Sequence, residues 1–188
     1  MFESLMQWDY AAFRLINGQW VNPVLDLLMP ALRDKFFWAP VYAFFLTFLG
    51  INFRLKGLAM VLLIILSVTI TDQVTASYIK PRVERLRPCH DANLAGEVRL
   101  LINCGSGKSF PSAHAANHFG LSFFLIVMLG RHIRWLIPAG IIWAATVSYA
   151  QVYVGVHFPV DVIFGALIGV FTGSWIAILG RVFIGSLD

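Results

Sequence analysis

The sequence predicts an all-α membrane protein: a bundle of about five transmembrane helices preceded by interfacial amphipathic helices. Two observations carry that expectation. The 188-residue chain is 59% hydrophobic, which is more apolar surface than one soluble domain of that length can hide in a core. Its charged residues, only 13% of the total, leave five stretches free or nearly free of charge: 36–53, 57–79, 109–130, 135–156 and 162–180. Each is about long enough for a helix rising about 1.5 Å per residue to cross roughly 30 Å of hydrocarbon.

The first 35 residues differ from the remainder of the chain. Glu3, Asp9, Arg14, Asp26, Arg33, Asp34 and Lys35 alternate with Phe2, Leu5, Met6, Trp8, Phe13 and Leu15, which suggests amphipathic segments lying in the membrane interface. They do not read as a signal peptide, because the first charge is acidic and no basic region precedes an apolar core. The second span contains Asp72, eight residues or about two turns before Lys80. It is expected to face the bundle and make polar contacts there. No repeat, low-complexity tract or second domain is evident, so residues 1–188 read as one domain: 1–35 interfacial, 36–182 the bundle, with a polar loop at 80–110. With five spans, Arg54, Lys56, Arg131, Arg134 and Arg181 share one side, whose only acid is Asp188. The positive-inside rule makes that side cytoplasmic and turns the loop outward.

Polar residues from three distant segments then meet at one membrane face. Lys80 and Arg87 come after span two, Ser112 and His114 open span three, and His157 and Asp161 lie between spans four and five. Ionisable groups at that depth point to function, and histidines beside cations suit a phosphate. In "SFPSAHAANH", Pro111 reads as a first-turn residue, so the free N–H groups and positive dipole end of span three would face a bound anion. Ser109 or Ser112 could equally serve as a simple helix cap. His114 and His118 are four residues apart, but the segment lacks the glutamate of the zincin motif, and no metal is expected. In "GVHFPVD", Phe158 precedes proline and leaves His157 in the turn. Asp161 falls in the first turn of span five, where a carboxylate can fix the imidazole tautomer and free the other nitrogen as base or nucleophile. A structural His–Asp hydrogen bond is the plainer alternative. "INCGSGKS" is not a P-loop: its first glycine would have to be at Ile102, and the neighbouring element is a membrane helix with no strand.

These residues resemble the type 2 phosphatidic acid phosphatase (PAP2) superfamily. "KPRVERLRP" is similar to its K-x6-R-P element, "PSAH" to P-S-G-H, and "AQVYVGVHFPVD" to S-R-x5-H-x3-D, in the family's order and spacing from Lys80 to Asp161. Ala113 replaces the usual glycine, and Ala150-Gln151 stands where the family has Ser-Arg. The resemblance implies a metal-independent phosphohydrolase without a cofactor. His157 would attack phosphorus to give a phosphohistidine, Asp161 would orient it, and His114 would protonate the leaving oxygen and later activate water. Lys80, Arg87, Ser112 and the Ala113 position would hold the phosphoryl oxygens.

A site at the membrane edge implies a lipid phosphate or diphosphate as substrate, with membrane lipids as the surroundings and no nucleic acid partner. Phosphatidate, phosphatidylglycerophosphate, undecaprenyl diphosphate and lipid A all fit, and oligomeric state is not legible. The expected location is a bacterial inner membrane with the site on the extracytoplasmic face. A lipid phosphotransferase and a non-catalytic lipid-phosphate binder are the alternatives. The missing arginine calls for compensation, because it removes up to two charge-assisted hydrogen bonds. Gln151 is expected to touch the phosphate, with Arg82, Arg85 and Lys108 as the spare cations. Cys89 and Cys104, the only cysteines, fall in the outward loop and are expected to pair.

Overall fold

The structure, a computed structural model, describes residues 2–185, Phe2 by its backbone alone, so Asp188 lies outside the described residues. Among the described residues all regular structure is helical. Helix α1 (Phe2–Arg14) runs into a π-helical turn, Leu15–Gln19, and α2 (Pro23–Leu32) comes next. Asn22 sets the start of α2 by accepting the Val24 N–H at 2.8 Å, with Pro23 in the first position where its missing N–H costs nothing. Then come α3 (Ala39–Asp72), a π-helical stretch Gln73–Ile79, and α4 (Lys80–Val83). A long loop with two short 3-10 turns leads to α5 (Ala113–Leu129), α6 (Leu136–Tyr153) and α7 (Pro159–Ile184).

Three helical runs are long and apolar enough to cross a membrane by length and composition: the one that begins at Ala39, 136–153 and 159–184. The 17 residues of α5 fall just short. The expected spans 36–53 and 57–79 are thus one element, but it is folded back on itself. Arg54 has φ 50° and ψ −120°, outside the helical region. A Cβ on Gly57 would strike the carbonyl oxygen of Leu49, eight residues earlier, which a continuous helix would place about 12 Å away. Gly57 is therefore where the two arms, 39–53 and 55–72, cross closely enough to require glycine. The expected span 109–130 also shortens, because 109–112 is not helical and Pro111 precedes the cap instead of sitting in the first turn.

Helix α5 is the central rod. Ala115, Ala116, His118, Gly120, Ser122, Phe124, Leu125, Met128 and Leu129 are all buried against α3, α6 and α7. Its contact with α7 is backbone to backbone. Cβ atoms on Gly165, Gly169 and Gly173 would collide with the carbonyl oxygens of Ser112, Ala116 and Gly120, a small-residue seam at i, i+4, i+8 of the kind that lets membrane helices approach closely. The outer faces carry exposed Leu62, Leu167, Phe171 and Phe183, the large apolar surface expected to meet lipid. Away from the site, Leu49, Met60, Phe124, Leu129, Leu136 and Ala177 close the core.

The N-terminal segment does more than lie in an interface. Asp9, Phe13 and Asn17, spaced at i, i+4 and i+8, are all buried, and α1 and α2 pack on α7 and α6 respectively. Asp72 accepts a hydrogen bond from Asn117 on α5 at 3.0 Å although its residue is exposed on the helix surface.

Candidate active site

The loop between α4 and α5 is fastened before it contributes any chemistry. Cys89 and Cys104 are joined as a disulfide, with Cα atoms 6.3 Å apart. Arg14 pairs with Glu97 at 2.6 Å and Arg99 with Asp26 at 2.7 Å. The Asn17 amide bonds the Arg99 backbone at both its N–H and its carbonyl, and Tyr10 donates to Asp91. The Glu97 carboxyl is held below the usual range by its hydrogen bond from Arg14, and Asp26 by those from Tyr153 and Arg99. Two of these ties are surface pairs worth little singly. The disulfide spans a sequence separation of 15, for which the chain-entropy model gives about 3 kcal/mol. A Cys89→Ser/Cys104→Ser variant is therefore expected to melt several degrees lower in detergent, and an unchanged Tm would contradict a stabilising bridge.

The loop delivers its residues to the beginnings of α5 and α7. Ser112 is the N-cap of α5: its Oγ accepts the Ala115 N–H at 3.4 Å, and its own N–H donates to the Asp161 carbonyl at 2.9 Å. The Ala113 and His114 N–H groups are left without intrahelical partners, which makes the helix start an anion-facing surface. The hydroxyl of Ser112 is thus occupied as a cap, the plainer of the two readings, while the backbone around it remains open. Ser109 is not a cap. Its hydroxyl donates to the Asp161 carboxylate and lies 3.4 Å from His157 Nδ1.

His157 sits in the turn after α6, 2% exposed, with Nδ1 3.5 Å from Asp161 Oδ2. Asp161 and Ser109 flank that nitrogen, so Nε2 is the one left for chemistry. Burial pushes the imidazole pKa down, and Asp161 pulls it partly back. Asp161, fully buried, also accepts the Phe158 N–H at 2.8 Å and Arg85 Nη1 at 2.8 Å. The other end of the same guanidinium reaches Asp9 at 2.5 Å, and Asp9 accepts the Val160 N–H at 2.8 Å. Burial raises the Asp9 pKa, opposed by Val160 and Arg85. Arg85 also lies over the Phe158 ring at 4.0 Å. Asp9 is a site residue that the sequence patterns do not single out; its one local signal is the helix face it shares with Phe13.

Two of the three expected spare cations, Arg85 and Arg82, are not spare. Both terminal nitrogens of Arg85 are taken by carboxylates, and Arg82 is exposed, stacked on Tyr78 at 3.7 Å and bonded to its carbonyl. Lys108, half-buried, makes no ion pair with the described residues. Lys80 and Arg87 do converge on the site, where each feels the charge of Asp161, and Arg87 Nε bonds the Gly107 carbonyl at 2.9 Å. Gln151 is fully buried, and its Oε1 accepts from Arg33 Nε at 3.3 Å. His118 does not join His114 as a metal pair: its Nδ1 is 2.9 Å from the His114 carbonyl and its Nε2 is 3.2 Å from the Tyr42 hydroxyl.

An apolar cleft of about 560 Å³ lies between the 39–53 arm, α5 and α6, lined by Trp38, Phe44, Phe45, Leu125, Leu136 and Trp143, none of them one of the site residues above. Its link to the site is indirect: Trp143 packs on Trp38 at 5.5 Å and on His118 at 5.0 Å, and His118 lies one turn beyond His114 on α5.

Comparison with known proteins gives the family and the fold. The family model of the PAP2 superfamily matches residues 56–183. A lipid A 4'-phosphatase of Bacteroides thetaiotaomicron is 40% identical over 94% of this chain and 78% of its own length. An undecaprenyl-diphosphatase of Sulfolobus acidocaldarius is 31% identical over 94% and 79%. Among solved structures, Aquifex aeolicus LpxE superposes with a TM-score of 0.66 at 28% identity, over 90% of this chain and 94% of that one. The phosphatidylglycerolphosphate phosphatase of Bacillus subtilis superposes with a TM-score of 0.68 at 22% identity, over 96% and 86%, and so shares the fold.

Proposed function

Because this chain belongs to the PAP2 superfamily, we propose that it hydrolyses a lipid phosphate monoester at the extracytoplasmic edge of a bacterial inner membrane, with a lipid A-type glycolipid as the first substrate to test. The observation that carries this reading is the His157–Asp161 pair set beside Lys80, Arg87 and the open amides of α5. Relatives named for lipid A, undecaprenyl and phosphatidylglycerol phosphates support the lipid class, and the 40% identity of the first supports lipid A among them. The apolar cleft between the 39–53 arm, α5 and α6 suits an acyl chain. Arg54, Lys56, Arg131, Arg134 and Arg181 at the opposite end support an outward-facing site, as does a disulfide in its loop.

The chemistry balances without an added group. His157 Nε2 donates its lone pair to phosphorus while the bond from phosphorus to the lipid oxygen breaks, and His114 gives that oxygen its proton. A bound phosphate dianion favours the protonated His114 that this step needs. Water then attacks the phosphohistidine, His114 takes the water's proton, the P–N bond breaks, and inorganic phosphate leaves. Asp161 holds the Nδ1 proton and stabilises the charged ring. Phosphoryl transfer needs mainly positioning and neutralisation of the equatorial oxygens, which fixed cations and helix-end amides supply. Asp161 and Asp9 are both committed to Arg85, which leaves them ill-suited to hold Mg²⁺ as a pair.

The test is phosphate release in detergent with excess EDTA from lipid A, undecaprenyl diphosphate, phosphatidylglycerophosphate and phosphatidate. Release from lipid A that EDTA leaves unchanged is expected. Loss of release on chelation, or no release from any lipid, would overturn the reading.

A further inference from the structure

The cations around this site divide into two groups. Arg14, Arg85 and Arg99 each have a carboxylate partner. Lys80, Arg87, Arg33, Lys108 and the exposed Arg82 have none among the described residues, and the first three are partly buried and close enough to act on one another: Arg87 is felt at both Lys80 and Arg33. Arg33 ends α2, and its charge reaches His114 as well. Neighbouring Asp34 does not pair with it and instead accepts the Phe36 N–H at 2.9 Å. Like charges gathered in a partly desolvated cleft are costly unless an anion joins them.

Gln151 gives a second, independent sign of a missing ligand. It is fully buried, and its Oε1 is used by Arg33 Nε, but its amide nitrogen has no partner. A buried donor left open is expensive unless something binds it. Gln151 also stands next to the nucleophile, since its carbonyl accepts the His157 N–H at 3.3 Å.

We propose that Arg33 is the third cation of the phosphate site, and that Gln151 holds it there and donates its own amide to the same anion, replacing the arginine of the family's third sequence element. The inference rests on the phosphatase reading above. The departure at 151 is then a change of address for the guanidinium. An arginine at 151 would repel Arg33, whereas a glutamine accepts from its Nε and leaves both terminal nitrogens for phosphoryl oxygens. The N-terminal segment, lying outside the span that carries the three sequence elements, thereby supplies part of the substrate site.

The test uses the full-length chain in detergent, with two readouts: Kd for inorganic phosphate by calorimetry, and kcat/KM for phosphate release from lipid A. Arg33→Gln is expected to weaken phosphate binding and lower kcat/KM by at least tenfold each, with Tm unchanged. The exchange variant Arg33→Gln/Gln151→Arg is expected to recover at least threefold of both, while Gln151→Arg alone falls below the parent. A Kd within twofold of the parent in Arg33→Gln, no phosphate binding by the parent, or no recovery in the exchange would overturn the proposal. If Arg33→Gln does not fold, Arg33→Lys takes its place, where a loss of threefold or more supports the role and parental behaviour refutes it. Should the parent release no phosphate from any lipid, the phosphatase reading falls while the Kd comparison still decides the role of Arg33.

Discussion

Replacing His157 with glutamine is expected to abolish phosphate release, by at least about a thousandfold in kcat, while leaving a folded protein that still binds inorganic phosphate. Among the described residues neither the Ser109 hydroxyl nor a thiol is free to substitute, and His114 is already committed to proton transfer. The Ser109 hydroxyl is spent on Asp161, and both cysteines are in the disulfide. The parent quenched with base during turnover should carry an acid-labile phosphoryl group that the variant lacks. Near-parental turnover by the variant would remove His157 from the chemistry. The same imidazole sets an acid limit. Its pKa is lowered by burial, more than Asp161 restores, so the neutral, nucleophilic ring persists as pH falls through the ordinary histidine value of about 6.5. Nitrogen-15 NMR of the free protein should show His157 titrating below that value, and titration above it would contradict the burial argument.

Gly169→Val is expected to be among the most damaging substitutions remote from the chemistry. Any Cβ at 169 would overlap the Ala116 carbonyl oxygen and crowd the backbone of Gly120, and α5 cannot retreat because α3 and α6 pack its other faces. Overpacking of a rigid core costs about 1–3 kcal/mol or more. The displacement also travels along a stiff rod to the site, since the Ser112 N–H bonds the Asp161 carbonyl and joins the starts of the two helices. Loss of about 1 Å of register there can cost about a hundredfold in rate. Tm and kcat should both fall, and a variant with parental values of both would show that the seam has slack. Gly50, where an added Cβ would meet no heavy atom within 4 Å, is the control that should tolerate valine.

What can be read from the sequence is what is encoded locally. Lys80, Arg87, Ser112, His114, His157 and Asp161 are legible because each lies at a helix boundary set by proline, by charge or by the end of an apolar run. Boundaries of alternate antiparallel spans gather at one face. The glycine seam is equally local, three glycines at four-residue intervals in α7, although nothing in α7 itself names α5 as the partner. Asp9 and Arg33 are not legible in that way. Asp9 is a lone charge in an amphipathic segment and Arg33 the first of three charges in a row, where a solvated side chain is the ordinary outcome, and only the docking of α1 and α2 against the bundle turns them inward. The reversal at Arg54 is visible as a cluster of charge between two apolar runs, yet the near-absence of a break in helical propensity leaves the two arms continuous except at that one residue.

The hydrogen bond from the Val160 N–H to Asp9 joins residues 151 positions apart, and this orders events during synthesis. The N-terminal segment leaves the ribosome first, at about 5–20 residues per second, but its buried carboxylate has neither its amide partner nor a completed Arg85–Asp161 bridge until α7 is made. For several seconds α1 must wait with Asp9 unsatisfied, so it should remain undocked and hydrated until the last span inserts. Ribosome-bound chains arrested just before Pro159 should therefore leave residues in α1 open to protease or to a soluble thiol reagent at an introduced cysteine, and chains arrested beyond α7 should protect them. The enzyme would thus be unable to act on any lipid before its membrane insertion is finished.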